Sequence, residues 1–250
     1  MMHWIRNLAL LIAAPLILTG CLFTPGQFVS TLTINKDRSF TFTYKGEVHA
    51  IDLEGMGDGL EGMAAGDTIE LDTKDHSTDE DQTGDAVKTV ESPAEKAKQS
   101  AEKKAKRDAE LREVATQLAK EPGYNSVQYL GDNKFSVDYS ISGTLTHSFL
   151  YPFNQDAAMI FPWVAVELRG KDTIRVKAPG FAKQERSGSE MTGSGESKAN
   201  GSFTLITDAE IVSQNNEDGA KTEGGKRVIQ WNVTPITKEA PSAVLRLNAR

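Results

Sequence analysis

The chain has 250 residues, 28 Lys plus Arg against 35 Asp plus Glu, a formal charge of −7 and 38% hydrophobic residues, the composition of an acidic globular protein of one or two domains. One Cys rules out an internal disulfide framework and a multi-Cys zinc site. The negative balance argues against nucleic-acid binding, which needs a basic face to displace counterions.

In chain order the first element is a leader. Arg6 precedes the apolar run Leu8 to Leu18, which has the length of a signal-peptide core and falls short of the roughly 20 residues a bilayer span needs. The run ends in Leu18-Thr19-Gly20-Cys21, which resembles the lipobox of bacterial lipoproteins. That resemblance implies cleavage after residue 20 and lipidation of Cys21, the alternative being a plain secretory signal with a free thiol. Two or three acyl chains, at about 0.8 kcal/mol per buried methylene, hold a protein where one chain holds it only marginally. An acidic body is slightly repelled by an anionic membrane, so the lipid on Cys21 must make the membrane attachment. Leu22 follows the Cys where Asp is absent, the pattern of outer-membrane sorting if the organism has such a membrane. The expected location is the cell membrane or outer membrane, lipid-anchored on the extracytoplasmic side, periplasmic in a Gram-negative cell.

Phe28 to Ile34 and Ser39 to Ile51 alternate apolar and polar residues about the turn Asn35-Lys36-Asp37-Arg38 and predict a hairpin. Between Asp67 and Glu91 nine acids face two lysines, so residues 54–91 read as a solvated insert. Ser92-Pro93-Ala94-Glu95 is a capping box with Pro at the first helical position, and Glu121-Pro122-Gly123 is a stop, which together predict one helix over 93–120. Its buried stripe, Leu111, Val114, Ala115 and Leu118, lies in the second half. The last two turns should therefore dock and the first half stay wet.

Strands are predicted again at 126–130, 134–141, 144–151, 163–168, 173–177, 203–212, 227–233 and 243–247, with a second flexible excursion at 183–201. The expectation is an α+β fold, an antiparallel sheet of about nine strands with one long helix packed on one face. The domain plan is a lipoprotein signal peptide at 1–20 and a single extracytoplasmic domain at 21–250, with flexible inserts at about 54–91 and 183–201.

The hairpin Ser30 to Phe42, the charged central helix, Ala209 to Asn215 and Arg227 to Val233 with its single Trp231 are together similar to the LppM-like lipoprotein domain family. The resemblance covers most of residues 22–250 and implies an envelope role connected with lipids or lipid-like ligands. Arg38 stands where a turn Gly is common, residues 54–91 are an acidic insertion, and no C-terminal membrane helix follows the sheet. Neither a spanning role nor any functional residue is carried over.

Residues bearing chemistry are sparse. Asp79-Glu80-Asp81-Gln82-Thr83-Gly84-Asp85 imitates the start of an EF-hand loop, but its twelfth position is Val90 instead of Glu, and an acidic loop explains it as well. His49, His76 and His147 have no metal-ligand spacing, and no Gly-x-Ser-x-Gly elbow or dinucleotide loop exists. The expectation is a non-enzymatic protein without a cofactor or metal. The aromatic alternation places Phe42, Tyr139 and Phe149 as core residues or as liners of a cleft between helix and sheet for an acyl chain. Two partner classes follow: a lipid or amphiphile held in that cleft, or another envelope protein held at a strand edge or by the charged half of the helix.

Overall fold

A computed structural model describes residues 22–51, 93–152, 162–183 and 197–247. The leader, Cys21, the acidic insert with its calcium-like loop and His76 lie outside them. The elements are β1 (Leu22–Ile34), β2 (Ser39–Ile51), α1 (Pro93–Leu118), β3 (Tyr124–Gly131), β4 (Lys134–Thr144), β5 (Phe149–Tyr151), β6 (Val164–Arg169) and β7 (Thr173–Lys177). After a 3₁₀ turn at Pro179–Phe181 come β8 (Asn200–Thr207), β9 (Glu210–Gln214), β10 (Lys221–Glu223), β11 (Lys226–Val233) and β12 (Ser242–Arg246).

The strands form two sheets where one of about nine strands was expected. One has seven strands in the order β10-β11-β8-β1-β2-β4-β3, and the other five in the order β5-β6-β7-β12-β9. The mixed α+β class holds and the single sheet does not. The large sheet is mixed, because β1 and β8 pair in parallel along Gln27 to Ile34. The second sheet separates from the first at two places where the sequence runs on. Of residues 144–151, Thr144 ends β4 and only Phe149–Tyr151 form a separate strand. The predicted strand 203–212 divides between β8 in the large sheet and β9 in the small one. Its corner is fixed by side chains: Thr207 Oγ1 accepts from Ala209 N (3.0 Å) and Asp208 Oδ1 accepts from Lys36 N (2.7 Å).

Period-two patterning sets the faces. The register aligns Leu32 with Phe42 and Phe42 with Ile141, then Ser30 with Tyr44 and Tyr44 with Tyr139. These inward residues are buried, apart from the partly buried Ile141. Thr31, Thr33, Thr41, Thr43, Ser140 and Ser142 alternate with them on the outer face, where Thr41 and Ser142 hydroxyls meet at 2.8 Å. Ser30, buried inside, donates to Thr43 O (2.9 Å), so it carries no unmet polar group. Phe28 sits between Gly46 and Gly201 in neighbouring strands, and a Cβ at either would collide with its backbone. This close approach lets the Phe28 ring stack on Phe181 at 4.2 Å between centroids.

The predicted turn at 35–38 is a tight one. Asp37 Oδ1 accepts from Ser39 N (2.9 Å) and Oγ (2.6 Å), bonds that hold its carboxyl below the usual range. Arg38 takes the left-handed conformation, φ 69°, which Gly enters more cheaply. Its guanidinium donates to Lys171 O and its carbonyl accepts from Leu145 N (2.9 Å). Arg38 thereby ties the β1–β2 turn to the β6–β7 turn of the other sheet.

Candidate functional site

Two places in the fold gather the residues that sequence patterning marks as suggestive. The first is the seam between the sheets. Phe42, Tyr139 and Phe149 do come together there, with ring centroids 6.2 Å apart for Phe42 and Tyr139 and 5.4 Å for Phe42 and Phe149. Tyr44, Tyr151 and Trp163 fill the remaining space, at 4.8 Å for Phe42 and Tyr151 and 5.4 Å for Tyr44 and Trp163. The cover over these rings is the second sheet and not the helix. The three residues are therefore packing residues of a solid interior, with Phe149 at its margin. Burial raises the phenol of Tyr151 well above its ordinary value and pushes Tyr124 up to about 12. The seam is consequently uncharged and offers no ionised nucleophile near neutral pH. Tyr44 keeps its hydroxyl satisfied by donating to Glu47 O (2.8 Å).

The second place is the cleft between helix and sheet, which exists but is lined by other residues. The chain leaves α1 through hydrogen bonds from Ala119 N to Ala115 O (3.0 Å) and Glu121 N to Leu118 O (3.0 Å). It reverses at Gly123, φ 94°, where a Cβ would strike the Tyr139 ring. The following strand, β3, then runs back antiparallel along the helix. Lys104 pairs with Asp132 (2.7 Å) at one end, and Asp108 accepts from the Tyr129 hydroxyl further along. Leu111 and Ala115 bury, while the residues from Ala97 to Lys106 are exposed. Docked second half and wet first half both agree with the periodicity.

Between the docked turns and β3 lies an open groove of about 450 Å³ lined by Arg112, Ala115, Thr116, Ala119, Val127 and Tyr129. The volume falls within the roughly 300–1,000 Å³ of small-molecule sites. Its walls mix the methyl groups of Ala115, Ala119 and Val127 with polar surface from Arg112, Thr116 and Tyr129. Its one fixed charge is Arg112, whose guanidinium lies 5.6 Å from the Tyr129 ring centroid, a cation–π distance. Tyr129 stays neutral because burial, then its bond to Asp108, raise its phenol. Asp108 and Arg112 read in the sequence as a pair along the helix. Here Tyr129 engages both, Asp108 through its hydroxyl and Arg112 through its ring. The signal that could have found the groove was the alternation of Val127 and Tyr129 opposite the Ala115 and Ala119 spacing.

Among the described residues no group of three or more His, Cys, Asp or Glu is placed to hold a metal ion. His49 lies on β2 and His147 in the segment before β5, in different parts of the fold. Burial, and then Lys198, hold the His49 imidazole below its usual 6.5. Among the described residues no helix is long and apolar enough to cross a membrane.

No protein-family model and no curated protein matches the chain. Among solved structures, the chain is similar to the folded domain of LppM from Mycobacterium tuberculosis, determined by NMR. The match covers 91% of this chain and 94% of that one, at 17% identity and a TM-score of 0.31.

Proposed function

We propose that the protein is a non-enzymatic, lipid-anchored lipoprotein of the cell envelope that takes up a single lipid or amphiphile in the groove between α1 and β3. The observation that carries the ligand is the groove itself: a shallow, open surface of mixed polarity, with Ala115, Ala119 and Val127 beside one permanently charged guanidinium, suits a molecule with an apolar chain and an anionic head. The anchor rests on the leader and on Cys21 standing immediately before β1. The seam residues Phe42, Tyr139 and Phe149 support this reading indirectly, as the rigid interior that fixes β3 and β4.

The test is mass spectrometry of an organic extract from a secreted form carrying Cys21→Ser behind a non-lipoprotein signal, purified without detergent. A stoichiometric acidic lipid is the expected result. An empty, monodisperse protein would overturn uptake in the groove.

A second reading, a module that assembles with another envelope protein, is favoured by β3. Among the described residues this outermost strand of the large sheet pairs only with β4 and leaves Leu130 half exposed, an edge onto which a partner strand can add. A specific crosslinked protein partner in cells, with no extractable lipid, would decide for it.

A further inference from the structure

The exposed first half of α1 is basic in an acidic protein. From Pro93 to Lys106 it carries Lys96, Lys98, Lys103, Lys104 and Lys106 against Glu95 and Glu102, while the whole chain is −7. At 100° per residue Lys98, Lys103 and Lys106 fall on an arc of about 140° on the side away from β3, while Lys104 turns to Asp132 at the β3–β4 turn.

Its position gives the charge a meaning. Leu22 of β1 pairs with Ile51, His49 with Lys134, and Lys134 with Gly131, so one rim of the large sheet holds the start of β1 and the β3–β4 turn. Helix α1 meets this same rim: Lys104 pairs with Asp132, and Arg107 Nε donates to Asn133 Oδ1 (3.1 Å), whose backbone carbonyl accepts from Ala50 N (2.8 Å). Since α1 and β3 are antiparallel, residues 93–103 continue past the rim by about 16 Å. They project on the side from which the chain runs back to Cys21, one residue of about 3.8 Å away.

We infer that this projecting half of α1 docks on the anionic surface of the bilayer that holds the Cys21 lipid, an inference that rests on the anchor proposed above. With no linker between lipid and β1, the rim cannot stand off the membrane. An overhang of about 16 Å exceeds a headgroup layer of roughly 6 Å, so the body must tilt and lay the helix against the headgroups. The outward arc of Lys98, Lys103 and Lys106 then turns to the lipid phosphates, while Lys104 keeps the helix tied to the β3–β4 turn. Among the described residues, acids at the rim are engaged: Asp132 by Lys104 (2.7 Å) and Glu47 by Lys134 (3.3 Å).

The experiment uses the lipidated chain purified from envelopes and reconstituted into vesicles of phosphatidylcholine alone or mixed with phosphatidylglycerol. An amine-reactive ester and mass spectrometry then read each lysine. Lys98, Lys103, Lys104 and Lys106 are expected to be protected on the anionic vesicles only, and released at high salt. Lys171, beside the β1–β2 turn at the far end, should label equally on both. Replacing Lys98, Lys103 and Lys106 together by Gln lowers the docked-to-undocked ratio roughly a hundredfold, at about 1 kcal/mol per cation, and the protection of Lys104 disappears. Equal labelling on both vesicles, or protection indifferent to lipid charge and salt, would overturn the inference. The intact mass tests the anchor separately. If Cys21 carries no lipid, the same chain coupled through this sole Cys to a maleimide phospholipid still reads the docking.

Discussion

The seam between the sheets and the groove beside the helix are both built on aromatic residues, yet they differ in what the aromatics face. In the seam, rings from β2, β4 and β5 meet rings from β5 and from Trp163 just before β6 at 4.8 to 6.2 Å, and all but the marginal Phe149 are buried. At the groove, Tyr129 has Phe135 on one side at 5.2 Å and the Arg112 guanidinium at 5.6 Å at the open groove. The difference teaches that an aromatic alternation specifies a face and does not say what covers it. Closure by a second sheet makes core; partial closure by one short helical stripe leaves an open groove.

The comparison can be broken most forcefully from the seam. Tyr44→Ala should cost about 3–5 kcal/mol of stability, as large-to-small changes in a packed core do, measured by denaturant unfolding. The fraction that remains folded should retain ligand in the groove. Leu111→Ala couples the two regions, because Leu111 seats the helix that forms the groove wall. About 2–4 kcal/mol should be lost, and lipid extracted from the secreted form should fall together with helix protection in hydrogen exchange. Thr116→Trp sharpens the contrast from the other side. Thr116 is an exposed groove residue, so stability should move by less than about 0.5 kcal/mol while bound lipid drops about tenfold or more, the cost of filling the cleft. If Tyr44→Ala empties the groove without unfolding the protein, the division between packing and binding regions is wrong.

The smallest expected effect is one of pH. His49 has its folded pKa below the usual 6.5, so as pH falls through 6.5 the unfolded chain takes up the proton first and stability declines until the folded imidazole also titrates. His49→Gln should flatten this part of a stability–pH curve between neutral and mildly acidic pH. A curve for the variant that keeps the same slope would assign the loss to other groups.

Much of the strand content was legible because β2, β4, β7 and β11 keep an unbroken period of two, and the helix because Pro93 and Glu121-Pro122-Gly123 bracket it. The two-sheet arrangement was not legible. Nothing in Phe203 to Val212 interrupts the apolar alternation, and the corner at Asp208 depends on Lys36, far away in the sequence. Arg38 shows the same limit at one residue: its side chain explains a non-Gly turn only once the β6–β7 turn is beside it. For the site, patterning identified Phe42, Tyr139 and Phe149 as an aromatic group and the structure assembles them, but Arg112 and Tyr129 were hidden. Their roles come from the reversal at Gly123 that lays β3 along the helix, a tertiary event with no periodic trace.

The parallel pairing of β1 with β8 has a consequence for how the chain becomes a protein. The first described strand is an interior strand of the large sheet, and its second neighbour, at Phe203 opposite Ser30, is made only after the intervening strands and helix. Until then β1 can close one edge with β2 and must wait with the other open. Such long sequence separation slows folding and leaves a strand edge available to wrong partners. An anchor at the residue preceding β1 would hold that waiting edge at a surface, apart from other chains, while the last third of the molecule catches up.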